Sequence, residues 1–386
     1  MLKFKIQGYQ NDTDRVPIAI PKLLAYKEVI QMNDFFGGYD RVVFETPDER
    51  NAKRKRQRRL FSRVFLALFI YVIISQFAGV GIYAIARAAL SAEQYARLSE
   101  SVIYTLLISS AAQYLIAFPV LLLALVGTHK AEKKEKTKLS LDDFILLFLI
   151  GEVLMFIGNL IGTSLNEVVG NLSGRVPENS IATIINETPI WLIFVLMVIV
   201  GPIVEELIFR KLLIDRLSIY SDKVAIIFSA VAFGLMHGNL YQFFYAALLG
   251  GLLGYVYTLT RDVKYTIYMH MAINFLGSVV ALPVEKAMTK FLEIMEMAML
   301  GQEIDLFELF TSGAVTLTYT NLQYGMIIGG IIALVHFVRS KKIKLSTDKE
   351  IFLPDGEIYK YGILNVGALL FISVCTVTMI LNLIFV

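Results

Sequence analysis

The chain has 386 residues, of which 56% are hydrophobic and 18% are charged, and its formal net charge is +3. This composition excludes an ordinary soluble globular protein and is typical of a polytopic membrane protein. The single cysteine, Cys375, excludes an intrachain disulfide and a cysteine-rich metal site.

Apolar stretches that are long enough to cross a hydrocarbon core of about 30 Å recur along the chain. They predict an all-α fold, a polytopic membrane helix bundle with about eight to nine transmembrane helices. We place nine of them, near 62–88, 102–126, 142–163, 190–212, 224–241, 243–260, 266–283, 322–339 and 362–386.

A basic run from Arg50 to Arg59 immediately precedes the first apolar stretch. Lysine and arginine beside a membrane span keep that end of the helix in the cytosol, so the run predicts a cytosolic N-terminus. We favour this interpretation over nucleic-acid binding because the run adjoins a span and lacks interleaved aromatic residues. The expected partner is therefore the lipid bilayer, and no nucleic acid is expected. Basic loops at 127–140, 211–223, 261–265 and 339–360 then also lie in the cytosol.

The spans divide the chain into five predicted segments, of which the third carries most of the unusual polar residues. The segments are a cytosolic N-terminal segment at 1–61, N-terminal transmembrane helices at 62–185, a core at 186–283, an external insertion at 284–321 and C-terminal transmembrane helices at 322–386.

Glu205 and Glu206 are adjacent within an apolar stretch, and Arg210 follows one helical turn later. Ionisable groups at membrane depth are costly and mark a functional site. Residues four apart share a face of an α-helix, whereas neighbours are turned by about 100°, so Arg210 should pair with Glu206 while Glu205 points elsewhere. Glu205 is then a free carboxylate and the candidate general base. Pro202 has no N–H, so it should bend the helix and expose a carbonyl near Val198.

Later apolar stretches supply two further polar motifs. His237 follows Phe233 by one turn, on a helix joined to the glutamate helix by a short loop, so we expect it beside Glu205. His270 and Asn274 are also one turn apart and can offer hydrogen-bond donors on one face. The alternative for this pair is a purely structural bond between two helices.

The three motifs, GluGluLeuIlePheArg at 205–210, PheGlyLeuMetHis at 233–237 and HisMetAlaIleAsn at 270–274, occur in this order. They resemble those of the CAAX-protease and bacteriocin-processing family of membrane-embedded endopeptidases, which are related to the Ras-converting prenyl-protein protease. The likeness covers residues 186–283. It implies an endopeptidase that cleaves a lipidated or hydrophobic peptide. The predicted topology places its site at membrane depth, toward the cytosolic side.

The resemblance also implies a role for each motif residue. Glu205 and His237 would polarise a water for attack on a peptide carbonyl, and His270 and Asn274 would stabilise the oxyanion. Glu206 and Arg210 remain the supporting ion pair.

A metal is the open point of this mechanism. Glu205, His237 and His270 could bind zinc with one open position, and zinc would acidify the bound water. The zinc-protease spacing HisGlu-x-x-His is absent. Because asparagine is a good donor but a poor zinc ligand, a metal-free mechanism is slightly favoured.

A different class of function stays open at this stage. The same glutamates and His237 could form a proton relay or a structural network in a non-catalytic membrane scaffold, an immunity protein or a proton-coupled transporter. Such a relay does not need the donor pair His270 and Asn274, which favours the protease.

Overall fold

The computed structural model describes residues 47–132, 134–174, 180–340 and 355–385, and every regular element in these ranges is a helix. Most of the segment predicted at 1–61 and most of the basic loop at 339–360 lie outside them. The helices are α1 Pro47–Ala89, α2 Ala92–Glu100, α3 Val102–Ala124, α4 Leu141–Ser173, α5 Ser180–Glu187, α6 Ile190–Leu217, α7 Asp222–Met236, α8 Leu240–Thr260, α9 Val263–Met299, α10 Leu306–Arg339, α11 Asp355–Ile363 and α12 Val366–Phe385.

Eight of these helices are long and apolar enough to cross a membrane, namely α1, α3, α4, α6, α8, α9, α10 and α12. This confirms the predicted all-α polytopic bundle. The expected span near 224–241 is shorter than predicted and is not among these eight, because α7 has only 15 residues and ends at Met236. The chain turns there through Gly238, whose φ of +65° suits glycine. Asn239 then caps α8 by accepting a hydrogen bond from the Gln242 N–H at 2.8 Å.

Glycines bring α8 close to two neighbouring helices. Gly158 and Gly162 on α4 leave no room for a side chain, since a Cβ on Gly162 would lie 2.7 Å from the Tyr241 carbonyl oxygen. On α7, a Cβ on Gly234 would lie 2.7 Å from the Phe243 carbonyl oxygen. Small residues allow such close approach between membrane helices. The α8 helix is thereby packed against both α4 and α7.

The last helix, α12, forms hydrogen bonds with both α1 and the turn after α7. The Gly367 N–H donates to Ser62 Oγ at 3.2 Å, and Asn382 Nδ2 donates to the Gly238 carbonyl at 2.7 Å. Between these points Phe371 packs on Phe65 within a buried aromatic cluster. The α12 helix therefore holds the turn that follows His237.

The segment predicted as an external insertion at 284–321 consists of two helical extensions. Residues 284–299 continue α9 without interruption, and residues 306–321 form the first part of α10. The two helices pack together where the Phe291 ring contacts Gly313, because a Cβ there would lie 3.0 Å from the ring.

Candidate active site

The middle of α6 has irregular helical geometry around Pro202. Residues Phe194–Val200 and Leu207–Ile214 are π-helical, and the short α-helical segment Gly201–Glu206 lies between them. The Gly201 N–H donates to the Leu196 carbonyl, and Pro202 has no N–H. Neither residue therefore donates a hydrogen bond to the Met197 carbonyl. Instead, Asn274 Nδ2 donates to that oxygen at 2.9 Å. The carbonyl that Pro202 leaves without a backbone donor is therefore that of Met197, one residue before the expected Val198. Asn274 donates to it.

Glu206 and Arg210 form an ion pair that is completely buried. Arg210 Nε donates to Glu206 Oε2 at 2.9 Å, and a second guanidinium nitrogen donates to Oε1 at 3.2 Å. The third nitrogen donates to Ser229 Oγ at 3.1 Å, and the guanidinium lies 5.1 Å from the centre of the Phe233 ring. A buried charge is tolerated only when it is paired and hydrogen-bonded in this way.

His270 lies between the two glutamates. Its Nδ1 is 3.1 Å from Glu206 Oε1, and its Nε2 is 3.7 Å from Glu205 Oε2. Since a carboxylate oxygen accepts, the short contact assigns a proton to Nδ1. Glu206 therefore orients the His270 ring and leaves its Nε2 facing Glu205.

His237 directly follows the last residue of α7. Its Nδ1 is 2.8 Å from the Phe233 carbonyl oxygen, which assigns a proton to Nδ1 and a lone pair to Nε2. The end of α6 at Leu217 comes 12 residues after Glu205, roughly 18 Å along the helix, and the 15 residues of α7 are roughly 22 Å long. Because α6 and α7 are consecutive antiparallel helices, the short α7 brings His237 to nearly the depth of Glu205.

One cavity of about 370 Å³ receives the polar residues of all three motifs. Glu205, with 24% of its side chain exposed, faces this cavity together with His237, His270 and Asn274. Glu206 and Arg210 do not line it. Further lining residues come from other helices and include Tyr71, Gln113, Tyr114, Met155, Gln242, Tyr245 and Leu249.

The metal hypothesis has partial support from this arrangement. Both histidines direct a lone pair on Nε2 away from a fixed Nδ1–H, which is the protonation state of a metal ligand held by an outer partner. Within the part of the chain that the structure describes, however, no three side chains of the histidine, cysteine, aspartate and glutamate types are arranged to hold an ion together. Glu205, His237 and His270 as they lie here do not form a three-ligand site.

The sequence reasoning missed the contribution of the first helices to the cavity. Tyr71 comes from α1, and Gln113 and Tyr114 come from the π-helical segment of α3. No spacing pattern singles these residues out. The Gly-x-x-x-Gly spacing of Gly158 and Gly162 was a readable signal for close helix packing.

Comparisons with known proteins identify similar sequences. Residues 187–276 match the family described as Type II CAAX prenyl endopeptidase Rce1-like. The chain is also similar to the "Putative membrane peptidase YdiL" of Bacillus subtilis (strain 168), with 28% identity over 171 residues, which are 43% of this chain and 68% of that protein. No solved structure matches the chain. The matched region contains all three motifs, and the chain is a multi-pass membrane protease of the CAAX type.

Proposed function

We propose that this protease hydrolyses a peptide bond of a hydrophobic or lipidated substrate with a water activated by Glu205 and His237. The observation that carries the proposal is the shared cavity, which is lined by Glu205 from α6, His237 from the end of α7, and His270 and Asn274 from α9. The paired Glu206 and Arg210 lie behind it. The peptide substrate and the lipid bilayer are the two partners that such an enzyme requires.

Glu205 is the proposed general base. No hydrogen-bond partner for its carboxylate is seen among the described residues, and His270 Nε2 at 3.7 Å is beyond hydrogen-bonding distance. Its oxygens are therefore available to accept a proton from water. The adjacent Glu206 cannot take this role, because Arg210 and His270 occupy its oxygens.

The proposed hydrolysis needs only groups that line the cavity. A water held by Glu205 and the His237 Nε2 lone pair attacks the peptide carbonyl carbon, and its proton passes to Glu205. The carbonyl oxygen becomes an oxyanion beside the Asn274 amide. When the intermediate collapses, the C–N bond breaks and Glu205 returns the proton to the leaving nitrogen.

The two predicted oxyanion donors differ in what they have available. Asn274 Nδ2 carries two protons, and the Met197 carbonyl engages one of them. His270 already donates its Nδ1–H to Glu206, so it donates to an oxyanion only when Nε2 is protonated as well. We therefore propose that Asn274 is the main hydrogen-bond donor to the oxyanion. His270 lies between the proposed base, Glu205, and the buried Glu206.

We further infer a cytosolic N-terminus and an active site that opens toward the cytosolic side of the membrane. The basic run from Arg50 to Arg59 forms the first part of α1, next to the apolar part of that helix. Basic residues also accompany the ends of α6 and α8, where Arg261 and Lys134 pair with Asp222. These charges lie together at the end of the bundle that the topology assigns to the cytosol.

The substrate class can be tested with purified protein in liposomes. The probe is a fluorogenic peptide ending in Cys-aliphatic-aliphatic-X, prepared with and without a farnesyl group on its cysteine. We expect cleavage of the farnesylated peptide, with one ¹⁸O from labelled water in the new carboxyl group. Cleavage of both peptides at equal rates would contradict lipid recognition. Cleavage no faster than that by Glu205→Gln would contradict the proposed reaction.

A further inference from the structure

The helices that precede the matched region complete the wall of the active site. Tyr114 lies on α3, in the π-helical segment Ala112–Ala117, far from residues 187–276 in sequence. It nevertheless lines the same cavity as Glu205 and Asn274. A polar side chain in this position has access to whatever the cavity binds.

The Tyr114 hydroxyl lies directly against α6, the helix that carries Glu205. A Cβ placed on Gly201 would be 3.3 Å from this oxygen, so glycine leaves the space that the hydroxyl needs. Among the described residues no hydrogen-bond partner for the Tyr114 hydroxyl is seen, and the side chain is half-buried. Because the hydroxyl is not committed to another group of the described protein, it is available to donate to a substrate in the cavity.

Met197, Gly201 and Glu205 are spaced four residues apart and follow one another along one side of α6. All three line the cavity. The Asn274 amide binds at Met197, the Tyr114 hydroxyl lies at Gly201, and the third position carries the proposed base. Successive positions are separated by roughly 6 Å along the axis. Two donors and one base therefore form a row beside which an extended peptide can lie.

The number of uncommitted donors in the cavity favours a role for Tyr114. Oxyanion holes usually present more than one preorganised donor. His270 has committed its Nδ1–H to Glu206, and Asn274 has committed one of its two N–H groups to Met197. The Tyr114 O–H is uncommitted. A phenol O–H is a hydrogen-bond donor.

We propose that Tyr114 is a further catalytic residue, whose hydroxyl donates to the scissile carbonyl oxygen as it becomes an oxyanion, beside Asn274. The inference rests on the proposed peptide hydrolysis and names a participant in it. Tyr71 is a poorer candidate although it lines the same cavity. Its hydroxyl is fully covered by protein, so a substrate cannot touch it.

The test compares Tyr114→Phe with Tyr220→Phe in cleavage of the farnesylated fluorogenic peptide. Tyr220 is a matched control, since its hydroxyl is also buried without a partner but lies in the apolar core away from the cavity. We expect Tyr114→Phe to lower kcat by about 10²–10³-fold with KM nearly unchanged, as for loss of one oxyanion donor. Tyr220→Phe should retain the wild-type kcat.

A second variant changes the position of the hydroxyl and keeps its chemistry. Gly201→Ala would place a Cβ 3.3 Å from the Tyr114 oxygen and 3.1 Å from the Leu196 carbonyl oxygen. It should also lower kcat, by less than Tyr114→Phe does.

Three results would overturn the assignment. An unchanged kcat in Tyr114→Phe would exclude a catalytic role, and a raised KM alone would assign the hydroxyl to substrate binding. A shifted acid limb of the pH–kcat profile would mean that Tyr114 acts through Glu205. If Glu205→Gln is inactive in the same assay, any of these results removes Tyr114 and leaves the hydrolysis intact. If wild-type protein does not cleave the peptide, both proposals fail.

Discussion

The two faces of α6 carry the same type of side chain in opposite environments. The Glu205 side chain is 24% exposed and lines the cavity, and its Oε2 is 3.7 Å from His270 Nε2. Glu206, the next residue, is fully buried and binds Arg210 and His270. A turn of about 100° between neighbours is enough to separate them. The comparison teaches that, in this helix, a committed carboxylate maintains the structure while an uncommitted one is available for chemistry.

The buried face should respond to mutation mainly through stability. Arg210→Ala leaves Glu206 as an unpaired buried charge, and we expect a loss of about 3–5 kcal/mol in the free energy of unfolding. Glu206→Ala should behave similarly. The double variant should lose less than the sum of the two. Denaturant unfolding in detergent measures all three.

Lys211→Ala is the matched control for Arg210→Ala. Lys211 is the next residue and also pairs with an acid four residues on, Asp215 at 2.8 Å, but 45% of its side chain is exposed. Its loss should cost no more than about 1 kcal/mol. Strict additivity of Arg210→Ala and Glu206→Ala would show that the pair does not act as a unit.

The cavity face should respond mainly through turnover, and Asn274→Ala tests this. We expect kcat to fall by about 10²–10³-fold with little change in KM, because a donor to the oxyanion is lost. Steady-state cleavage of the farnesylated peptide gives both constants. Asn166→Ala is a suitable control, since Asn166 Nδ2 also donates to a backbone carbonyl, that of Gly162 at 2.8 Å, outside the cavity. A rise in KM with unchanged kcat would assign Asn274 to substrate binding.

Ser229→Ala makes a smaller change behind the ion pair. The serine hydroxyl accepts from Arg210 at 3.1 Å and donates to the Phe209 carbonyl at 3.0 Å. Its removal leaves a buried guanidinium N–H unsatisfied, so we expect a loss of about 1–3 kcal/mol of stability. Turnover of the folded fraction should stay close to wild type. If Ser229→Ala were as stable as wild type but had lost turnover, Ser229 would have a role in the reaction and not in stability.

Chelation should have the smallest effect of all. In the metal-free mechanism, the water is activated by Glu205 and His237, so dialysis against a zinc chelator should leave kcat unchanged. Elemental analysis of the active protein tests the same point. One zinc per chain, with activity lost on removal and restored on return, would replace this mechanism with a zinc-bound water.

Much of the fold was predictable because it depends on local patterns. The long apolar stretches predicted the bundle, and the four-residue spacing predicted which glutamate faces Arg210. The short α7 was not predictable from hydropathy, since residues 224–260 are apolar on both sides of the turn. A single Gly238 with positive φ ends one helix and allows the next.

The site was predictable in its motifs and less so in its surroundings. The expected free carbonyl near Val198 belongs to Met197, because the π-helical segment moves the Gly201 N–H to Leu196. That shift depends on packing, which Pro202 alone does not specify. Tyr114 reaches the cavity from a helix distant in sequence, and only the tertiary structure brings it to Gly201.

The most direct test of the account compares Glu205→Gln with Glu206→Gln in the same preparation, measuring peptide cleavage and unfolding together. Both changes keep the side-chain shape and remove one charge. We predict that Glu205→Gln lowers kcat by about 10²–10⁴-fold and unfolds like wild type, because a general base is lost. Glu206→Gln should be clearly less stable, because Arg210 loses its counter-charge. A Glu205→Gln enzyme with near-normal turnover would contradict the central claim.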